Sequence, residues 1–240
     1  MTYQRSRARR AFEFQIDQAL KELTPLYKFA KKNGGAGGTR LLGAYYVFAF
    51  SQLEVYIKSF VEDSLTAVNA SSPTFDKWPD LMLAYLLHKS ENLGADYRKF
   101  STSEDEGAIL ERVAKTARKI AAWGAGGPIT TVVDTAAFLE KKKYPSPKNL
   151  PQLFKRLGVK KIWAVVSAAG KMNSELILTS LNDLRTDIAH EGKVPPGFSV
   201  ADLRDRLDQM LRFVAALDRG VSKYFCTDVM TRSIWNGSMV

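Results

Sequence analysis

Between Ala11 and Lys32 the apolar residues Phe12, Ile16, Leu20, Leu23 and Tyr27 recur at steps of four and three, which places them on one face of a helix. The stretch Asn33-Gly34-Gly35-Ala36-Gly37-Gly38-Thr39 is expected to break that helix. A longer helix is predicted from Arg40 to Val68. It is apolar on most sides between Tyr45 and Phe50, as a helix at the centre of a core would be, and Ala70-Ser71-Ser72-Pro73 ends it. Further on, Met172, Leu176, Leu181, Leu184 and Ile188 form another helical stripe. Gly192 stands where a left-handed C-terminal cap is wanted, and Pro195-Pro196 prevents continuation. Ser199 reads as the N-cap of a final long helix with Asp202 in capping-box position, and Leu203, Leu207, Met210, Leu211, Val214 and Leu217 carry its buried face.

The middle third is less regular. Leu81 to Leu87 reads as a short buried helix and Glu106 to Trp123 as an amphipathic one. Gly124-Ala125-Gly126-Gly127-Pro128 is a break, and Lys141-Lys142-Lys143-Tyr144-Pro145-Ser146-Pro147-Lys148 a basic loop. Ile129-Thr130-Thr131-Val132-Val133 is the one strand candidate. No internal repeat is visible. The pattern predicts an all-α protein, an antiparallel helical bundle elaborated in its middle third.

Composition narrows the class. At 240 residues, 45% hydrophobic and 25% charged, the chain is globular rather than disordered or fibrous. Thirty-five Lys and Arg against 25 Asp and Glu give +10, with a pI near 9.6. That excess suits a polyanion such as nucleic acid or an anionic membrane surface; a plain solubility charge is the alternative. A single cysteine, Cys226, forbids an internal disulfide, reads as structural or incidental, and suits a reducing cytosol. The start of the chain is basic (Arg5, Arg7, Arg9, Arg10) but no apolar signal core follows, and Glu13 and Asp17 argue against a transit peptide. The most apolar run, Leu41 to Phe50, is too short for a bilayer span. These features predict a soluble cytoplasmic protein with no membrane partner.

Most chemical motifs are missing. Gly34 to Gly38 is followed by Thr39-Arg40 and Gly124 to Gly127 by Pro128-Ile129, so neither glycine run is a P-loop. There is no Gly-x-Ser-x-Gly elbow and no His-Glu-x-x-His zinc motif; His190-Glu191 continues as Gly192-Lys193-Val194. Glu104-Asp105-Glu106 reads as a solvated turn, and no metal site or cofactor is expected. Of the two histidines, His88 ends a predicted helix, in a surface or capping role. His190 closes Leu181-Asn182-Asp183-Leu184-Arg185-Thr186-Asp187-Ile188-Ala189-His190, in which Asn182, Arg185 and His190 lie off the core face with Asp187 beside them.

Leu184-Arg185, four residues, His190, one residue, Gly192 resembles the Arg-x(4–6)-His signature of the HEPN superfamily, down to the Ile188-Ala189-His190 ending. Phe50-Ser51-Gln52-Leu53-Glu54-Val55-Tyr56-Ile57-Lys58 resembles that superfamily's long central helix. The resemblance covers residues 10–70 and 165–225 of one domain spanning 1–240, leaving 71–164 as an insertion and 226–240 as a tail. Size and organisation look most like the RiboL-PSP-HEPN group or one other group of the superfamily. Thr186 departs from the Asn, Asp or His frequent after the arginine but stays polar. Gly192 replaces the tyrosine of the toxin branch controlled by nucleotidyl transfer, so that control is not supported.

The resemblance implies a metal-independent endoribonuclease of a toxin–antitoxin or antiphage system. A 2′-hydroxyl would attack its own phosphate, giving a cyclic phosphate and a 5′-hydroxyl. Such a step needs proton transfer and charge stabilisation. Imidazole suits His190 to the first and a permanent planar donor fork suits Arg185 to the second. One protomer offers one motif histidine, so a homodimer with facing motif helices is implied, and an antitoxin protein is a further possible partner. Asn182 and Asp187 would orient RNA or His190, Glu54 would line the cleft, and Arg5, Arg7, Arg9, Arg10, Lys141, Lys142 and Lys143 would meet the RNA backbone. Two other readings stay open: a catalytically silent HEPN-like module binding RNA, a nucleotide or a protein, and a helical scaffold in which Asp187 or Glu191 holds Arg185.

Overall fold

The computed structural model describes residues 2–32, 35–71, 77–89 and 145–239, with 107, 108, 110, 111, 114, 118, 138 and 139 between them. Among these lie α1 (Arg7–Lys32), α2 (Gly35–Ser71), α3 (Asp80–Lys89), α4 (Asn149–Arg156), α5 (Ile162–Gly170), α6 (Ser174–Glu191), α7 (Val200–Asp228) and α8 (Arg232–Ser238), and no strand. Of the helix expected from Glu106 to Trp123, the six described positions between 107 and 118 are helical. The strand candidate, the second glycine break, Glu104-Asp105-Glu106 and Lys141 to Lys143 lie outside the described residues.

The first helix begins four residues earlier than its apolar pattern suggests, because its N–H groups are capped by residues the pattern does not weigh. Ser6 Oγ accepts from the Arg9 N–H at 3.0 Å, and Asp63 Oδ2 of α2 accepts from the Ala8 N–H at 3.2 Å. Asp63 also takes the Arg7 guanidinium at 2.8 Å while itself only 2% exposed. Next to it Asp218 of α7, fully buried, accepts from the Tyr3 and Ser6 hydroxyls. Burial lifts both carboxyls above their ordinary range, against the lowering effect of those donors.

The glycine run is also read differently by the fold: α2 starts inside it, at Gly35. A Cβ on Gly38 would stand 3.2 Å from Tyr27 Cε2, so the small residue lets α1 and α2 close against each other. Along α2, Leu42, Tyr46, Ala49, Phe50, Leu53, Tyr56, Ile57, Phe60 and Val61 are all buried, as expected of the central helix. Tyr56 and Phe60 stack at 5.5 Å, and Phe60 continues to Phe154 of α4 at 6.5 Å and Trp235 of α8 at 6.4 Å.

That aromatic chain shows how far the core extends. Leu150, Leu153, Phe154, Leu157, Val159 and Ile162, from the segment expected as an insertion, belong to the same buried cluster as Phe12 and Leu207. The expected tail contributes Trp235, fully buried and stacked on Phe225 at 5.5 Å. Helix α5 seats on α7 through glycines: a Cβ on Gly220 would meet Val165 Cγ1 at 2.9 Å, and one on Gly170 would meet Ala216 Cβ at 2.8 Å.

Four long helices set the frame. Asp63 meets Ala8 and Gly38 meets Tyr27, so α2 runs back along α1. Tyr46 donates to the Leu181 carbonyl at 2.6 Å and Gly43 faces Ile188, so α6 runs antiparallel to α2. Arg204 donates to Thr24 Oγ1 at 2.7 Å and Asp218 accepts from Ser6, so α7 runs back along α1, and Arg206 ties it to α6 through Ser180 Oγ at 2.8 Å. One end of the bundle therefore gathers the last turns of α1 and α6 and the first turns of α2 and α7.

Candidate nucleic-acid site

The motif residues sit at that gathered end. Helix α6 is fixed at its start by Asn173, whose side chain accepts from the Leu176 N–H at 3.1 Å. Its last turn closes on Gly192 at φ 69°, whose N–H reaches the Ile188 carbonyl at 2.9 Å. The buried stripe is Ser174, Leu178, Leu181, Leu184 and Ile188. Leu176, expected on it, is 63% exposed, and Met172 is only partly buried. Ser174 holds the place of the missing apolar residue, sharing a 2.7 Å hydrogen bond with Ser167.

Around that stripe the helix wheel sorts the polar residues, at about 100° per residue. Arg185 lies near the edge of the core face and is partly buried. Asn182, three residues before it, and Thr186, bonded back to the Asn182 carbonyl at 2.9 Å, continue the same flank. His190 follows on, about 140° round from Arg185, and is exposed. Asp187 lies on the other flank. It is exposed, three residues from His190 and two from Arg185, so it neighbours the imidazole and not the guanidinium.

The structure does not bring every expected residue to this place. Gly43 marks the level of the motif on α2, since a Cβ there would touch Ile188 and Val194 at 3.4 Å. Glu54 is partly buried on the same face of α2 but eleven residues on, about 16 Å along the axis. Arg5, Arg7, Arg9 and Arg10 occupy the opposite end, at the level of Asp63, which is about 30 Å along α2 from Gly43. There Arg9, 9% exposed, bonds Glu13 at 2.6 Å and the Tyr3 hydroxyl at 3.0 Å. Arg5 pairs with Glu13 at 2.9 Å, and Arg10 donates to the Met239 carbonyl at 2.9 Å. The cluster fastens the start of the chain to α2, α7 and α8.

Other cations do stand at the motif end. Lys28, Lys31 and Lys32 of the last turns of α1, Arg40 of α2, Lys193 beyond the α6 cap and Arg204 of α7 are all exposed. They are one triplet and three single residues spread over α1, α2, the segment after α6 and α7, so no local run of the sequence displays them together. A cavity of about 330 Å³ between α1 and α2, lined by Glu22, Leu41, Ala44, Tyr45 and Phe48, opens on the far face of α2 from Gly43. It is not part of the motif site.

Cys226 is half-buried, with its thiol pushed above the usual range by burial, consistent with a packing role. The side chain of His88 lies outside the described residues. Among the described residues no cluster of three or more His, Cys, Asp or Glu side chains could hold a metal ion, and no helix is long and apolar enough to cross a membrane.

Residues 15–223 match the model of the family described as RiboL-PSP-HEPN. No curated protein and no solved structure matches the chain.

Proposed function

The chain belongs to the RiboL-PSP-HEPN family, whose domain points to a nuclease or RNA-related role, and from that premise we propose that it is a metal-independent endoribonuclease. The observation that carries this reading is His190: exposed, on the last turn of α6, with the partly buried Arg185 on the same helix. A histidine kept only for packing or for a buried hydrogen bond would not be left in solvent. RNA is the substrate, and its 2′-hydroxyl is the nucleophile, so no external nucleophile is required. His190 moves the proton, and Arg185 holds the non-bridging phosphate oxygens as negative charge builds on them. Asn182 supports Arg185 from the preceding turn, and Asp187 orients His190 from its own side of the helix.

One protomer offers one motif histidine, exposed on α6. Both proton acceptor and proton donor are supplied when two α6 helices face each other in a homodimer, which places the RNA between protomers. A nuclease of this kind acts in the cytoplasm as a toxin restrained by an antitoxin protein, or in antiphage defence.

The test is cleavage of a labelled structured RNA in excess chelator by the wild type, His190→Ala and Arg185→Ala. Cutting that survives chelator and falls by about 100-fold or more in both variants is expected. Cutting unchanged by both substitutions would remove the site. Retained RNA binding with no cutting by any protein would leave a silent binding module.

A further inference from the structure

The bundle end that carries His190 also carries a group of cations that no motif predicts, and one exposed aromatic ring among them. On α1, Thr24 is held by Arg204 of α7 at 2.7 Å, and Lys28 and Lys31 fall on its face, four and seven residues on. Lys32 lies beside Phe29, three residues before it, and Phe29 is 69% exposed. Arg40 stands on α2 between Gly38, under Tyr27, and Gly43, against Ile188 and Val194. Lys193 sits between the Gly192 cap and buried Val194. By these contacts Arg40 and Lys193 lie within about one turn of Ile188 along the bundle axis, and Lys31 and Lys32 continue past Tyr27, about 14 Å beyond Ile188.

Lys31 and Lys32 also offset the negative end of α1, and that alone would account for them. It does not account for Arg40. A cation near the start of α2 adds to the positive end of that helix, whose first turn holds no acidic residue. Acidic residues are present nearby: Asp202 is committed to the Ser199 cap at 2.8 Å and 2.6 Å, while Asp187 and Glu191 of α6 and Asp205 of α7 are exposed and fewer than the cations. A surface that accumulates positive charge on helix starts and helix ends alike is arranged for a ligand of repeating negative charge. An exposed phenyl ring within it has a use for that ligand only if bases are free to stack on it, which a duplex does not allow.

We infer that Lys31, Lys32, Arg40 and Lys193 form the backbone platform that leads unpaired RNA to His190, with Phe29 as a base-stacking surface. The inference rests on the ribonuclease reading for its location but not for its test. The Arg5 to Arg10 cluster has no part in it.

Binding is measured by fluorescence anisotropy of a labelled oligouridine over a salt series, with the full chain carrying His190→Ala so that the probe stays intact. On that background the platform variant is Lys31→Gln/Lys32→Gln/Arg40→Gln. The charge-matched control is Lys58→Gln/Arg219→Gln/Lys223→Gln, away from the motif end. The platform variant is expected to bind about tenfold or more weakly, with the slope of log affinity against log salt shallower by about 2. The control should stay within about twofold of the parent. Phe29→Ala should cost about tenfold on oligouridine and nothing on a blunt RNA duplex. Equal losses in platform and control would overturn the platform, as would tighter binding of the duplex. If the wild type binds through these residues but never cuts RNA, the platform stands and the cleavage reading falls. If the wild type cuts RNA and the platform substitutions change neither binding nor cutting, the platform alone falls.

Discussion

Residue by residue, the charged groups described above fall at two ends of one bundle. Asp218 illustrates the structural end. Burial holds its carboxyl above the ordinary range although Ser6 and Tyr3 both donate to it. The folded protein therefore binds that proton more tightly than the unfolded chain does. The stability contributed by this titration is greatest in acid, and it is lost as pH rises from the ordinary carboxylate value of about 4 through the raised folded value. Asp218→Asn removes the titration. The difference in unfolding free energy, wild type minus variant, measured by urea melts from neutral pH downward, should grow toward acid. A difference that shrinks toward acid would contradict the burial of the charge. The end of α6 was the more legible one, because the stripe of Leu181, Leu184 and Ile188 and the Gly192 stop lie within one short segment. The roles of Asp63 and Asp218 were not legible, since each caps or holds a segment more than fifty residues away in sequence.

At the scale of elements, local chemistry was readable and packing was not. Gly192 and Ser199 behave as their neighbours suggest: the first adopts φ 69°, and the second forms a complete capping box with Asp202. Leu176 was misassigned because the buried Ser174 replaces an apolar residue and shifts the visible phase of the stripe. The Gly35 to Gly38 run looks like a breaker, yet it is helical, and at Gly38 the closeness of Tyr27 gives glycine a packing reason. Helix α5 escaped notice because its evidence lies in α7, in glycines that accept its approach. Two glycines separate backbone strain from steric clash. At Gly192 an added Cβ meets nothing within 4 Å, so Gly192→Ala should cost only the left-handed conformation, about 1 kcal/mol. At Gly158, φ 90°, the Cβ would stand 2.2 Å from Pro79 Cβ, so Gly158→Ala should cost about 2–4 kcal/mol. Denaturant melts that rank the two the other way would show that the loop before α3 yields more easily than this packing implies.

At the scale of the whole molecule, the helices α1, α2, α6 and α7 form a frame whose two ends have different tasks. The far end binds its own chain: the Arg5 to Arg10 cluster is spent on Glu13, Asp63 and the Met239 carbonyl. The near end exposes His190, and exposed cations of α1, α2 and α7 stand at the same end of the bundle. The net charge of +10 could not say which cations stand at which end, because charge counts carry no position. The proposed dimeric site makes a further prediction. Cleavage per protomer should fall as the protein is diluted through the dimer dissociation range followed by sedimentation; cleavage per protomer that stays constant in a dissociated sample would restrict the site to one chain.

The most direct test of the central claim is the chemistry of the new ends, read by mass spectrometry on RNA cut in excess chelator by wild type and His190→Ala side by side. 2′,3′-Cyclic phosphate and 5′-hydroxyl ends are expected from the wild type and almost none from the variant. A 3′-hydroxyl with a 5′-phosphate, or the same products from His190→Ala, would contradict that claim.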